Sequence, residues 1–121
     1  MSLSFAPGDD LLFQLESGFG LMRVLAVDED NDAGRGIVWH LRVYEEFYPD
    51  VESAEAALGG GDALAVRAPH LALTDRALER TPAARLGNRP VTPDEGSAVA
   101  DWRGARGEVF DRSVLQMLGI R

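Results

Sequence analysis

The chain has 121 residues, 45% of them apolar and 26% charged, which suffices for one hydrophobic core but not for two ordinary domains. Twenty carboxylates against twelve basic groups give a net charge of −8, which argues against nucleic acid or an anionic membrane as a direct partner, because phosphate binding needs local positive potential. Cysteine and lysine are absent and every basic residue is arginine, which excludes disulfides, thiolate catalysis, thiolate metal sites, Schiff-base chemistry and a P-loop lysine.

Taken in chain order, Pro7-Gly8 ends a short leader, and Leu11, Phe13 and Leu15 alternate with Gln14 and Glu16 in the period-2 pattern of a strand with one wetter side. Ser17-Gly18-Phe19-Gly20 predicts a tight turn whose glycines take positive φ. The next strand, Leu21 to Val27, is apolar on both faces except for Arg23 and is therefore expected in the middle of a sheet. Asp28 to Gly36 reads as an exposed acidic hairpin loop, and Ile37 to Tyr44 as a strand. In that strand Ile37, Trp39, Leu41 and Val43 point inward, whereas Val38, His40, Arg42 and Tyr44 share the more polar face.

Ser53 to Leu58 favours a short helix stopped by Gly59-Gly60-Gly61. Ala63 to Ala68 can return to the sheet, with Leu71 and Leu73 continuing its apolar face. Thr74 or Asp75 can cap a helical turn through Arg80, and Ala84 to Val91 offers another short strand, interrupted at Gly87-Asn88. Thr92-Pro93-Asp94-Glu95 has the form of a capping box, but Gly96-Ser97 predicts that only a single turn follows, with Asp101 to Gly107 as a loop. Asp111 is placed to cap a last helix in which Val114, Leu115 and Leu118 form a stripe, with Gly119 just past its end.

These elements predict one β-rich α+β domain over residues 1–121: a strongly twisted antiparallel meander that could curl into a small open barrel, with short helices and a C-terminal helix from about Asp111 to Leu118. No apolar run approaches the roughly 18 residues of a membrane span, and the first residues lack the basic and apolar regions of an export signal, so a cytoplasmic location is expected.

Catalytic and cofactor signatures are missing. Asp28-x-Asp30-x-Asp32 begins like a calcium loop, but the required glycine is Ala33 and the closing glutamate is Trp39, leaving a solvated acidic loop as the simpler reading. Neither Gly18-x-Gly20 nor Gly34-x-Gly36 completes a dinucleotide fingerprint, and His40 and His70 lack metal-ligand spacing, so neither cofactor nor metal is expected. Trp39, His40 and Arg42 define an alternative, a small-molecule or peptide site in a cleft of the curled sheet, and a hydrolase using His40 as base is a third reading. Binding features are stronger: Tyr44-Glu45-Glu46-Phe47-Tyr48 interleaves aromatics with carboxylates, as interface hot spots do, and Trp102 is a further candidate anchor.

Pro7-Gly8-Asp9, a strand ending in Leu15, and Gly18 and Gly20 before Arg23-Val24-Leu25 resemble the start of the immunity protein 26 family. Leu86-Gly87-Asn88-Arg89-Pro90-Val91 is similar to that family's Ile-Gly-Asn-x-Pro-Leu segment. The sequence departs from the family pattern in having Thr81-Pro82-Ala83-Ala84-Arg85 where a Trp is expected, and in its Gly59 to Gly61 run. The resemblance implies a non-enzymatic protein that binds and blocks a cognate polymorphic toxin, and an acidic surface would suit the basic cleft of a nuclease toxin. On this reading Asp28, Glu29, Asp30, Asp32, Glu45 and Glu46 supply negative potential and Tyr44 or Tyr48 an apolar anchor.

Overall fold

A computed structural model describes residues 4–30, 36–61 and 63–119, with nothing assigned to the side chain of Asp30; Asp32 lies outside the described residues. The chain runs β1 (Asp9–Leu15), β2 (Gly18–Asp30), β3 (Gly36–Tyr48), α1 (Val51–Gly59), β4 (Val66–Thr74), α2 (Asp75–Glu79), β5 (Ala83–Asn88), α3 (Pro93–Ala105) and α4 (Val114–Leu118). The strands form one antiparallel sheet in the order β4-β3-β2-β1-β5. It is an α+β fold whose sheet stays open, with β4 and β5 as its edges, and β2 holds the middle position that its two apolar faces require.

The first hairpin turns on Glu16 and Ser17 alone, because Leu15 pairs directly with Gly18. Gly18 and Gly20 therefore lie in the strand, and neither has positive φ. They are needed for space. A Cβ on Gly20 would sit 2.4 Å from Cζ of Phe13, and one on Gly18 would sit 2.5 Å from the Tyr48 carbonyl oxygen. Phe13, fully buried, lies across from Gly20, with Phe47 on the other side of the same row. Missing side chains at Gly20 thus make the slot that the Phe13 ring fills.

Both faces of the sheet are covered, which explains why β1 is buried almost throughout and keeps only Gln14 exposed. One face carries Leu11, Phe13, Met22, Val24, Trp39, Leu41 and Leu73, packed on Ala77 and Leu78 of α2 and Val114 of α4. On the other face Leu12, Leu21 and Tyr44 pack on Ala54 of α1. The chain crosses the first face through α2 to reach the far edge, and the segment before α4 then hydrogen-bonds along β4, Phe110 N–H to Ala72 O at 2.9 Å and Thr74 N–H to Phe110 O at 3.0 Å.

Further local expectations are corrected. Asp28, Glu29 and Asp30, expected in the acidic loop, extend β2 and pair with Val38, Ile37 and Gly36. The helix begun by the Thr92 capping box continues for 13 residues through Gly96 and Asp101 to Ala105, because Glu95, Val99 and Trp102 recur at the spacing of one helix face and that face is buried against the sheet. Tertiary burial outweighs the roughly 1 kcal/mol that each interior glycine costs a helix. The last helix is capped by Ser113, whose side chain accepts from Gln116 N–H; Asp111 instead holds the Thr74 hydroxyl and the Arg76 guanidinium, which bring its carboxyl down to about 2.

Gly20→Ala is expected to destabilise the protein by about 1–3 kcal/mol through overpacking against Phe13, and Phe13→Leu in the same chain should return part of that loss. Urea denaturation of the single and double variants measures it; an unchanged midpoint for Gly20→Ala would contradict the slot.

Candidate functional site

The second sheet face holds two connected polar clusters beneath α3. The first centres on Arg23, only 2% exposed, whose neighbours across the sheet are Asp10 on β1 and Arg42 on β3. Its Nε donates to Glu95 Oε2 at 2.8 Å, Nη1 to Gly8 O at 2.8 Å and to Asp10 Oδ1 at 3.3 Å, and Nη2 to the carbonyls of Arg89 and Pro90 at 2.9 Å each. Every guanidinium nitrogen is used. Asp10 also receives two bonds from Arg89, at 2.7 and 2.9 Å, and these raise the Arg89 pKa above its ordinary value. Burial opposes ionisation of Glu95, yet the bonds from Arg23 and from the Thr92 N–H outweigh it and hold its carboxyl below the usual range.

Beside Arg23 opens a cavity of about 290 Å³ between α1, the start of β4 and the Arg89–Glu95 connection. Its lining includes polar side chains, Arg42, Arg89, Tyr44 and Thr92, and apolar ones, Leu58, Leu64 and Val66.

The second cluster is a relay from α3 into the sheet. Arg103 binds both oxygens of Asp28, Asp28 Oδ2 lies 2.9 Å from His40 Nε2, and His40 Nδ1 lies 2.9 Å from His70 Nε2. An ionised carboxylate only accepts, so His40 carries its proton on Nε2 and His70 donates to its free Nδ1. Trp102 meets the His40 ring edge to face at 4.8 Å, and its Nε1 donates to Glu108 O at 3.0 Å. This position depends on Gly107, where a Cβ would come within 2.3 Å of the indole.

Arg103 above all, with His40, lowers the Asp28 pKa. Burial is the main cause lowering His40, partly offset by Asp28, and burial followed by the His40 charge brings His70 down to about 4.

These positions revise several candidate roles. Asp28 is taken up by Arg103 and His40 and offers little free charge, while Glu29 is exposed. Tyr44 is buried, where desolvation raises its phenol pKa, and Tyr48 is half-buried against the α1 side of the core; neither stands out as an anchor. Glu45, Glu46 and Phe47 are exposed. Trp39 does not share a cleft with His40 and Arg42: its side chain is on the opposite sheet face, with Nε1 donating to Asp75 at 2.8 Å. His40 does sit beside a carboxylate, but it is fully buried with both nitrogens engaged, whereas a general base needs a nitrogen within reach of substrate. Glu95 and Arg103 escape a reading of the sequence that stops α3 after one turn; the helical spacing of Glu95, Val99, Trp102 and Arg103 was the available signal. Among the described residues no group of His, Asp and Glu is arranged to hold a metal, and no helix is long and apolar enough to cross a membrane.

No protein-family model, curated protein or solved structure matches the chain.

Arg23→Met would leave Asp10 and Glu95 without their buried counter-charge and is expected to cost about 3–5 kcal/mol, read from chemical denaturation. Loss under 1 kcal/mol would show that the carboxylates find other partners. Because both histidines have folded pKa values below the unfolded value near 6.5, the unfolded chain binds more protons as pH falls from about 6.5 towards 4, and stability is lost across that window. Asp28 stays ionised there and Arg103 stays charged, and Glu95, also held below its ordinary range, adds to the loss only at the acid end of the window. His70→Gln, which keeps a donor for His40, should flatten the fall in melting temperature between pH 7 and pH 4.5; an equally steep fall would place the titration elsewhere.

Proposed function

We propose that this protein is a non-enzymatic binding protein that neutralises a cognate toxin, acting as an immunity protein that covers a basic surface of its target. What carries this reading is the distribution of charge. Residues 28–62 contain ten carboxylates and two arginines, while the rest of the chain contains ten of each, so the whole net charge of −8 falls in one stretch. Where β3 runs into α1, Glu45, Glu46, Glu52 and Glu55 are exposed in the same stretch as Phe47, which is 42% exposed and one of the two large apolar side chains most open to solvent among the described residues. Solvent-facing carboxylates together with an accessible aromatic give an interface with an anchor and a steering field.

The acidic residues differ in their role. Glu45 and Glu46 face solvent and can act on a partner at a distance, whereas Asp28 is committed to Arg103 and His40 within the fold. The amino-terminal and Leu86–Val91 resemblances to the immunity protein 26 family agree with this assignment.

Co-expression with the toxin encoded beside this gene should restore growth, and unrelieved toxicity with every neighbouring candidate would reject the reading. With the toxin in hand, Glu45→Gln with Glu46→Gln should slow association and flatten its salt dependence, while Phe47→Ala should speed dissociation by about tenfold, near 1.4 kcal/mol. Surface plasmon resonance at two ionic strengths separates the two effects. Unaltered rates in both variants would place the interface on another face.

A further inference from the structure

We infer that the cavity beside Arg23 is a binding site for a small carboxylic acid with a short aliphatic or aromatic body, held by Arg42. The inference is independent of the acidic stretch.

Among the described residues, three guanidinium groups, Arg23, Arg42 and Arg89, line this recess with two carboxylates among them, because Asp10 is divided between Arg23 and Arg89 and Glu95 is bonded to Arg23 and the Thr92 N–H. The group left over is Arg42. Its side chain is 19% exposed, its Nε donates to Pro69 O at 3.2 Å, and the nearest carboxylate oxygen among the described residues, on Glu95, makes only a loose ion pair at 3.8 Å from Nη1, beyond hydrogen-bond distance. A mostly buried guanidinium without a bonded counter-ion is costly, and an anion supplied from solution removes that cost. The imbalance is local and runs against the chain's overall sign.

The geometry also selects the anion. Among the described residues the surplus is one positive charge, which a monoanion matches; a phosphate monoester, carrying between one and two negative charges near neutrality, exceeds it. The planar fork of Arg42 matches a carboxylate. Leu58, Leu64 and Val66 also line the cavity, so the ligand has an apolar body, and a volume of about 290 Å³ keeps it small.

The test is a titration of the full chain with benzoate, hexanoate, neutral benzamide, inorganic phosphate and a short peptide with a free C-terminal carboxylate, followed by the NMR signal of Arg42 Nε and by calorimetry. A saturable shift with a carboxylate at or below about 10 mM, absent with benzamide and weaker with phosphate, supports the site, since a Kd of 1 mM is already a weak interaction. Tighter binding of the peptide than of the free acids supports it and identifies a polypeptide C-terminus as the source; the reverse order supports it and identifies a free metabolite. Arg42→Gln should abolish the carboxylate binding heat in calorimetry, and retained heat would overturn the assignment. As that change touches the Glu95 network, Val66→Trp, at a 40% exposed lining position, gives a second test: it should weaken binding at least tenfold with the fold intact by circular dichroism. No saturable shift with any carboxylate, phosphate binding as tightly as the acids, or Val66→Trp binding like the wild type would each overturn the assignment.

Discussion

The Arg23 guanidinium is the point on which the rest of the arrangement depends. It reaches the Gly8 carbonyl before β1, Asp10 within β1, the Arg89 and Pro90 carbonyls after β5 and Glu95 in the first turn of α3, so one side chain on the central strand ties the sheet to the start of its covering helix. A lysine could not do this, because a single ammonium lacks the planar fork that addresses five acceptors at once. Glu95 has a second role, closing the Thr92 capping box through a bond to the Thr92 N–H. The start of α3 and the interior ion cluster are therefore one structure. Since a buried charge is tolerated only with its partners, the cluster specifies where the Arg89–Thr92 connection must run.

Once α3 is anchored there, its outer turns decide the fate of the polar residues on β2, β3 and β4. Trp102 and Arg103 fall on the same helix face as Glu95 and Val99 and land over His40, His70 and Asp28. Bulges in the β2–β3 pairing, between Gly20 and Met22 and between Val24 and Ala26, set which of these side chains share that face: past the second, Asp28 joins His40 on it. What looks along β3 like a solvent-facing polar row becomes an interior hydrogen-bonded row. Among the described residues none of its buried side-chain polar atoms lacks a partner.

Charge is thereby sorted into two populations. Asp9, Asp10, Asp28 and Glu95 are spent internally on arginines, histidine and asparagine, while Glu45, Glu46, Glu52 and Glu55 remain on the surface. Only the second group projects a field beyond the molecule, since paired interior charges largely cancel at a distance. The proposed partner surface and the proposed Arg42 site draw on different side chains, the exposed glutamates in one case and an arginine of the interior cluster in the other.

The strands, the central position of β2, the short helix after Asp50 and a cap at Thr74 or Asp75 were legible in the sequence, because each rests on local periodicity or on a cap that acts within four residues; the structure selects Thr74. The glycines at 18 and 20 could be placed in the first hairpin region but not given their purpose, since the Phe13 ring and the Tyr48 carbonyl that need the space arrive from other strands. The length of α3, the burial of His40 and the pairing of Asp28 with Arg103 came only with the tertiary structure. Local propensity at Gly96 and Gly104 argues against a helix there, and only contact with a sheet face assembled from distant segments offsets that cost. The sequence alone determined that one face of β3 is apolar and the other polar; the packing of α3 decided that both are interior, because Arg23 and Glu95, 72 residues apart, meet only in the folded chain.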